Sequence, residues 1–163
     1  MTDYKLLCRT LESLTDTVPY AITNLSNTCA LLFQSLENLN WAGFYFVKDG
    51  SLVLYPFQGK TACTKIAPGK GVCGTAAKND EILSIPDVHK FPGHIACDSA
   101  SQSEIVIPLH YENRVIGVLD IDSPLLSRFD KNDEQGLSQI ALITEKFISK
   151  DSEFLSGISR GLI

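Results

Sequence analysis

Two hairpin-patterned stretches constrain this chain more than anything else in it. "NWAGFYFVKDGSLVLYPF", residues 40–57, sets two aromatic and aliphatic runs around Asp49-Gly50, a pair suited to the positive φ of a tight two-residue turn. "SEIVIPLHYENRVIGVLDID", residues 103–122, repeats the arrangement around a second polar turn. An isolated hairpin is marginal in water, so the two together predict an antiparallel sheet with at least one covered face. Period two places Trp41, Gly43, Tyr45 and Val47 on one side of the first strand.

Helical spacing flanks these strands. In "TVPYAITNLSNTCALLFQSLE", residues 17–37, Val18, Ile22, Leu25, Cys29, Leu32, Phe33 and Leu36 recur as one helix face, with Thr17 as the expected N-cap and Pro19 in the first turn. "DKNDEQGLSQIALITEKFISK", residues 130–150, reads as a final helix capped by Asp130, and "GKGVCGTAAK" as a short helix with a glycine-rich entry. "EILSI" is a short strand candidate. The tail, residues 151–163, is weakly patterned and reads either as a short helix or as a frayed end. Helices before and after an antiparallel sheet predict an α+β fold with helices packed mainly on one face, in one domain over residues 1–163 with its core at about 17–150.

Composition excludes several function classes. A net charge of −5 disfavours a phosphate-tracking surface, so nucleic acid is not the expected partner. The start "MTDYKLLCRTLESL" lacks a cationic region followed by a continuous apolar run, and no stretch approaches the length of a transmembrane span. The expected location is cytoplasmic, with nuclear access left open. Five cysteines, Cys8, Cys29, Cys63, Cys73 and Cys97, are an odd number for a disulfide framework, which leaves thiol chemistry, metal binding or packing to account for them.

Cys8 and Cys29 lie beside leucines on helical stretches and read as packing residues. Cys63, Cys73 and Cys97 fall in or near loops. Cys97 stands out in "FPGHIACDSASQSEIVIPL": it sits among small polar residues, within a loop at 86–103 long enough to suggest function. His94 precedes it by three positions, but no C-x-x-C pair accompanies them, so no metal site is expected. His89, His94 and His110 singly read as surface residues.

Asp120 and Asp122 share a strand face by period two, together with Ile116 and Val118. Whether Glu104 joins them depends on register. A three-residue turn at 111–113 would set Glu104 opposite Asp120. A two-residue turn at 112–113 would pair it with Ile121 instead, and the cluster would form only if a bulge restored the parity. Solvated strand-end charges are the plain alternative. Trp41 and Tyr45 read as core aromatics, although the missing side chain of Gly43 between them leaves room for an aromatic-walled cleft.

These residues carry a resemblance. "NWAGFYF", the set Cys63, Cys73 and Cys97 with "GKGVCG", "HIACDSASQSEIVIPL" and "GVLDIDSP" together resemble the free methionine-(R)-sulfoxide reductases, enzymes built on a GAF domain. The likeness runs from about residue 17 to 150. It implies a sheet with helices on one side and active-site loops on the other. It implies Cys97 as the attacking cysteine, Cys63 as its resolving partner, Cys73 as an auxiliary thiol, and Trp41, Tyr45, Glu104, Asp120 and Asp122 as the substrate pocket. No cofactor is implied. Free methionine-(R)-sulfoxide would be the substrate and thioredoxin the reductant, in a monomer or a homodimer. Chemically, a thiolate attacks the sulfoxide sulfur as the oxygen is protonated, leaving a sulfenic acid that a second thiol converts to a disulfide. Nearby carboxylates would suppress a thiolate, so the crowded acids are expected to hold at least one proton among them, with a remaining charge free to pair with the α-ammonium of a free amino acid. A non-catalytic GAF module that senses a small molecule is the rival reading.

Overall fold

A computed structural model describes residues 2–94 and 98–158. Two N-terminal helices, α1 (Tyr4–Thr15) and α2 (Ala21–Ser35), precede the first hairpin, β1 (Trp41–Lys48) and β2 (Ser51–Gly59). The short β3 (Lys65–Ile66), α3 (Gly71–Asn79) and β4 (Leu83–Ile85) lead to the second hairpin, β5 (Ser103–Tyr111) and β6 (Arg114–Ser123), followed by α4 (Lys131–Ile148) and α5 (Ser152–Gly157). All pairings are antiparallel, in the order β3-β2-β1-β6-β5-β4, so the two hairpins meet through β1 and β6 at the centre.

Alternation along these strands separates two cores. Ala42, Phe44 and Phe46 of β1, with Ile105, Ile107 and Leu109 of β5, face the layer of α1, α2, α4 and α5. Trp41, Tyr45 and Val47, with Val106 and Val118, face α3 and the loops beside it. The expected arrangement of helices mainly on one face and loops on the other is therefore the observed one. Among the described residues, no helix is long and apolar enough to cross a membrane.

The first hairpin turns as expected: Lys48 pairs with Ser51, and Asp49 and Gly50 take φ of 49° and 72°. α4 opens with a capping box, in which Asp130 accepts from the Asp133 N–H and Asp133 accepts from the Asp130 N–H. α2 differs at its start. It begins at Ala21 rather than near Thr17, because Pro19 disfavours helical backbone in the residue before it. Its first N–H, on Ala21, donates at 2.8 Å to the carboxylate of Asp151, at the start of the tail whose weak pattern read either as a short helix or as a frayed end and which opens as the short helix α5. Leu25, Cys29, Leu32 and Leu36 are buried as expected, but Asn24, Thr28 and Leu31 are covered as well, whereas Ile22 is half exposed.

The second hairpin corrects the expected strand faces. Glu112 and Asn113 form a two-residue turn, both at positive φ, and Tyr111 pairs with Arg114. The register then slips between His110↔Val115 and Leu109↔Gly117, so Ile116 is an extra residue in β6. Ile116 consequently packs toward the helices and does not share a face with Asp120 and Asp122, while Val118 does. Gly117 permits the slip, since a Cβ there would lie 2.4 Å from the carbonyl oxygen of Tyr45 on the neighbouring strand.

Candidate active site

The bulge has a chemical result. It sets Glu104 opposite Asp122 and Val106 opposite Asp120, so the three carboxylates share the face that α3 covers. Glu104 and Asp120 are each only 6% exposed. Within one cavity they meet Trp41, Tyr45 and Cys73, and all six residues line its wall. Among the described residues, no lysine, arginine or histidine pairs with Glu104, Asp120 or Asp122. Asp120 Oδ1 is buried without a hydrogen-bond partner.

Burial and mutual repulsion keep protons on this cluster. Burial first, then the charges of Asp120 and Asp122, raise the carboxyl of Glu104 well above its ordinary range. Asp122 is raised well above its own by burial and by Asp120, against a hydrogen bond from Ser101. Burial lifts Asp120 to about 6, with hydrogen bonds from Cys73 and Glu104 opposing it. Near neutral pH the group can therefore carry one charge and still offer a protonated carboxyl, the condition that acid catalysis beside a thiol requires.

The cysteines take distinct places. Cys29 is buried, its Sγ donating at 3.1 Å to the carbonyl oxygen of Pro56, and Cys8 is partly covered on α1, so both are packing residues as expected. Cys73 projects from the first turn of α3, with its Sγ 3.8 Å from Glu104 Oε1. Burial, Asp120 and Glu104 push its thiol well above the ordinary value, so Cys73 is a protonated wall of the pocket and not a ready nucleophile. Cys63 is disulfide-bonded, whereas Cys8, Cys29 and Cys73 are free. Cys97 lies outside the described residues.

Trp41 and Tyr45 line the pocket, but the cleft between them is filled. Trp41 stacks between Tyr45, at 5.9 Å, and Phe57, at 5.3 Å. A Cβ on Gly43 would lie 2.6 Å from the indole, so the glycine admits the ring and leaves no gap. Both aromatics also anchor the loop after β2: Trp41 Nε1 donates to the carbonyl oxygen of Lys60 at 3.1 Å, and Tyr45 Oη to that of Cys63 at 3.0 Å.

Sequence reasoning missed a second set of residues. Asn40 Nδ2 donates to Ser101 Oγ at 2.9 Å and to Asp98 Oδ2 at 3.1 Å, and Ser101 hydrogen-bonds Asp122. Asp98 in turn accepts from the N–H of Ala100 at 2.9 Å. The residue that follows Cys97 is thus tied to the carboxylate cluster. Nothing in the spacing of these small polar residues marked them in advance. Of the histidines, His94 lines the pocket, whereas His110 lies outside it between Asp80, at 2.7 Å, and Glu145, at 3.0 Å.

An antiparallel sheet with helices on one face and, on the other, a lined pocket between the strands and their covering helix and loops defines the class. The chain belongs to the GAF domain family, whose model matches residues 7–146. It is similar to the free methionine-R-sulfoxide reductase of Escherichia coli, at 55% identity over 78% of each chain. Among solved structures it is similar to fRMsr of Staphylococcus aureus in its reduced form, at 47% identity and a TM-score of 0.88, covering 91% of this chain and 96% of that one. It is also similar to the free methionine-R-sulfoxide reductase of Neisseria meningitidis in complex with its substrate, at 41% identity and a TM-score of 0.89, covering 92% of this chain and 90% of that one.

Proposed function

We propose that this protein is an enzyme that reduces free methionine-(R)-sulfoxide to methionine by thiol chemistry. The observation that carries the reading is the cluster of Glu104 and Asp120, both buried, with the partly covered Asp122, which pairs with no lysine, arginine or histidine among the described residues, beside the aromatic wall of Trp41 and Tyr45. Similarity to reductases of that name and to structures in complex with their substrate supports it.

In this reading an ionised carboxylate of the cluster pairs with the α-ammonium of the substrate, and Trp41 packs against its apolar portion. The Cys97 thiolate attacks the sulfoxide sulfur while a protonated carboxyl delivers its proton to the oxygen. The oxygen then passes to the Cys97 sulfur as the bonds from the substrate sulfur to that oxygen and to Cys97 break, so methionine leaves as the thioether and Cys97 carries the oxygen as a sulfenic acid. The Cys63 thiol then displaces water from it, forming a Cys63–Cys97 disulfide. That Cys63 is disulfide-bonded while Cys73 stays free supports Cys63 as the resolving partner. An external dithiol, most simply thioredoxin at about −270 mV, takes up the oxidising equivalents by exchange and restores both thiols. Cys73 orders the proton-bearing carboxyls and need not enter the cycle.

The test is consumption of free methionine sulfoxide with a dithiol present, the R and S epimers being resolved. Selective loss of the R epimer with release of one methionine per sulfoxide is expected. Binding of a small molecule without any thiol-dependent turnover would instead make the domain a sensor.

A further inference from the structure

Cys73 Sγ, a Glu104 oxygen and an Asp120 oxygen lie within 4.8 Å of one another, all three residues buried. For pairing with an ammonium group the carboxylates suffice, and a thiol adds little. For a thiophilic cation, one sulfur and two carboxylate oxygens form three-quarters of a tetrahedral shell. Zn²⁺ holds sulfur at about 2.3 Å and oxygen at about 2.0–2.2 Å, which puts neighbouring ligand atoms roughly 3.5 Å apart. The Cys73 Sγ to Glu104 Oε1 distance of 3.8 Å is already close to that spacing.

A second observation points to an occupant. Asp120 Oδ1, on a residue 94% buried, accepts no hydrogen bond, and it belongs to a wall of the open pocket. Three protein ligands leave a fourth position free, and the pocket supplies the route by which an ion would arrive.

We propose that Cys73, Glu104 and Asp120 bind a divalent thiophilic cation, Zn²⁺ in the first instance, at the position the substrate's ammonium would occupy, so that the metal and free methionine-(R)-sulfoxide exclude each other. The exclusion rests on the function proposed above. Metal binding itself does not.

The experiment uses the full chain carrying Cys63→Ser and Cys97→Ser, which removes the other thiols proposed for the site, with a phosphine as reductant. Co²⁺ is the probe, because a cobalt–thiolate bond absorbs in the near ultraviolet. One equivalent should produce that band, Zn²⁺ should displace it, and free methionine-(R)-sulfoxide should compete with it. Adding Cys73→Ser should abolish the band, and Asp120→Asn should weaken binding by at least about tenfold, the scale seen even for residues that only support a metal ligand. Near-ultraviolet circular dichroism confirms that each variant is folded. Absence of the band, or its persistence after Cys73→Ser, would overturn the site. Metal binding that methionine-(R)-sulfoxide does not displace would overturn the shared position. Failure of the unaltered protein to reduce methionine-(R)-sulfoxide would count against the proposed function alone.

Discussion

The phenol of Tyr45 donates a 3.0 Å hydrogen bond to the carbonyl oxygen of Cys63, so a residue of the pocket wall also fixes the backbone of the proposed resolving cysteine. Tyr45→Phe keeps the ring and its stack on Trp41 but leaves that partly buried carbonyl unpaired, a cost of about 1–3 kcal/mol. Steady-state turnover should fall by roughly tenfold, with first-turnover methionine release largely retained. Rapid quenching against the steady-state rate measures the split. Equal loss in both phases would place the phenol on the substrate and not on Cys63.

Attack and resolution should separate by mutation. Cys97→Ser is expected to abolish reduction altogether. Cys63→Ser should still release about one methionine per enzyme and then stall, since attack precedes resolution. Mass mapping of the oxidised protein should find a Cys63–Cys97 bond. A bond of Cys97 to Cys73 alone would reassign the resolver.

The carboxylate cluster predicts how stability depends on pH. Burial raises Asp120 from 3.8 to about 6, so between those values the folded protein holds a proton that the unfolded chain has released. Stability contributed by this group is complete below the unfolded value and is lost as pH rises through the folded one, by on the order of 3 kcal/mol. Glu104 and Asp122 are raised as well, and His110, also raised, acts in the same direction. The thermal midpoint of the ligand-free protein should therefore be higher at pH 5 than at pH 8. Asp120→Asn should flatten that difference, isolating the cluster from His110, while reducing activity. A midpoint that rises from pH 5 to 8 would show that the cluster is not protonated.

Selectivity for the free amino acid follows from the same group. N-acetylation removes the ammonium, and losing a charge-assisted hydrogen bond costs roughly 1.5–3 kcal/mol. N-acetylmethionine sulfoxide should accordingly show kcat/KM lower by at least about tenfold. Equal turnover of the two substrates would remove the ammonium pairing from the mechanism.

Much of the site was legible because its chemistry sits on regular strands. Trp41 and Tyr45 fall on one face by period two, and so do Asp120 and Asp122, whose positions need no knowledge of other elements. Asn40, Ser101 and Asp98 were not legible. Their roles arise from contacts 58 and 61 residues apart in the chain, made by short polar side chains that recur in any loop. Cys73 was visible as a cysteine near a glycine-rich helix entry. Its protonated, enclosed character depends on burial beneath the sheet face and on Asp120 and Glu104, which arrive from β6 and β5.

Local sequence determined the pieces. The Asp49-Gly50 turn, the alternation that separates the Phe44 and Trp41 faces, and the Asp130 cap of α4 each depend on residues close in the chain, where backbone preference and periodicity suffice. Tertiary structure decided how the pieces met. A two-residue turn alone would have set Glu104 against Ile121. The extra residue at Ile116, admitted because Gly117 has no side chain to strike β1, carried Glu104 across to Asp122. The physical reason is that strand parity must satisfy two buried faces at once. Ile105, Ile107, Leu119 and Ile121 have to reach the helices together, and only with the bulge does the opposite face gather all three carboxylates in one pocket.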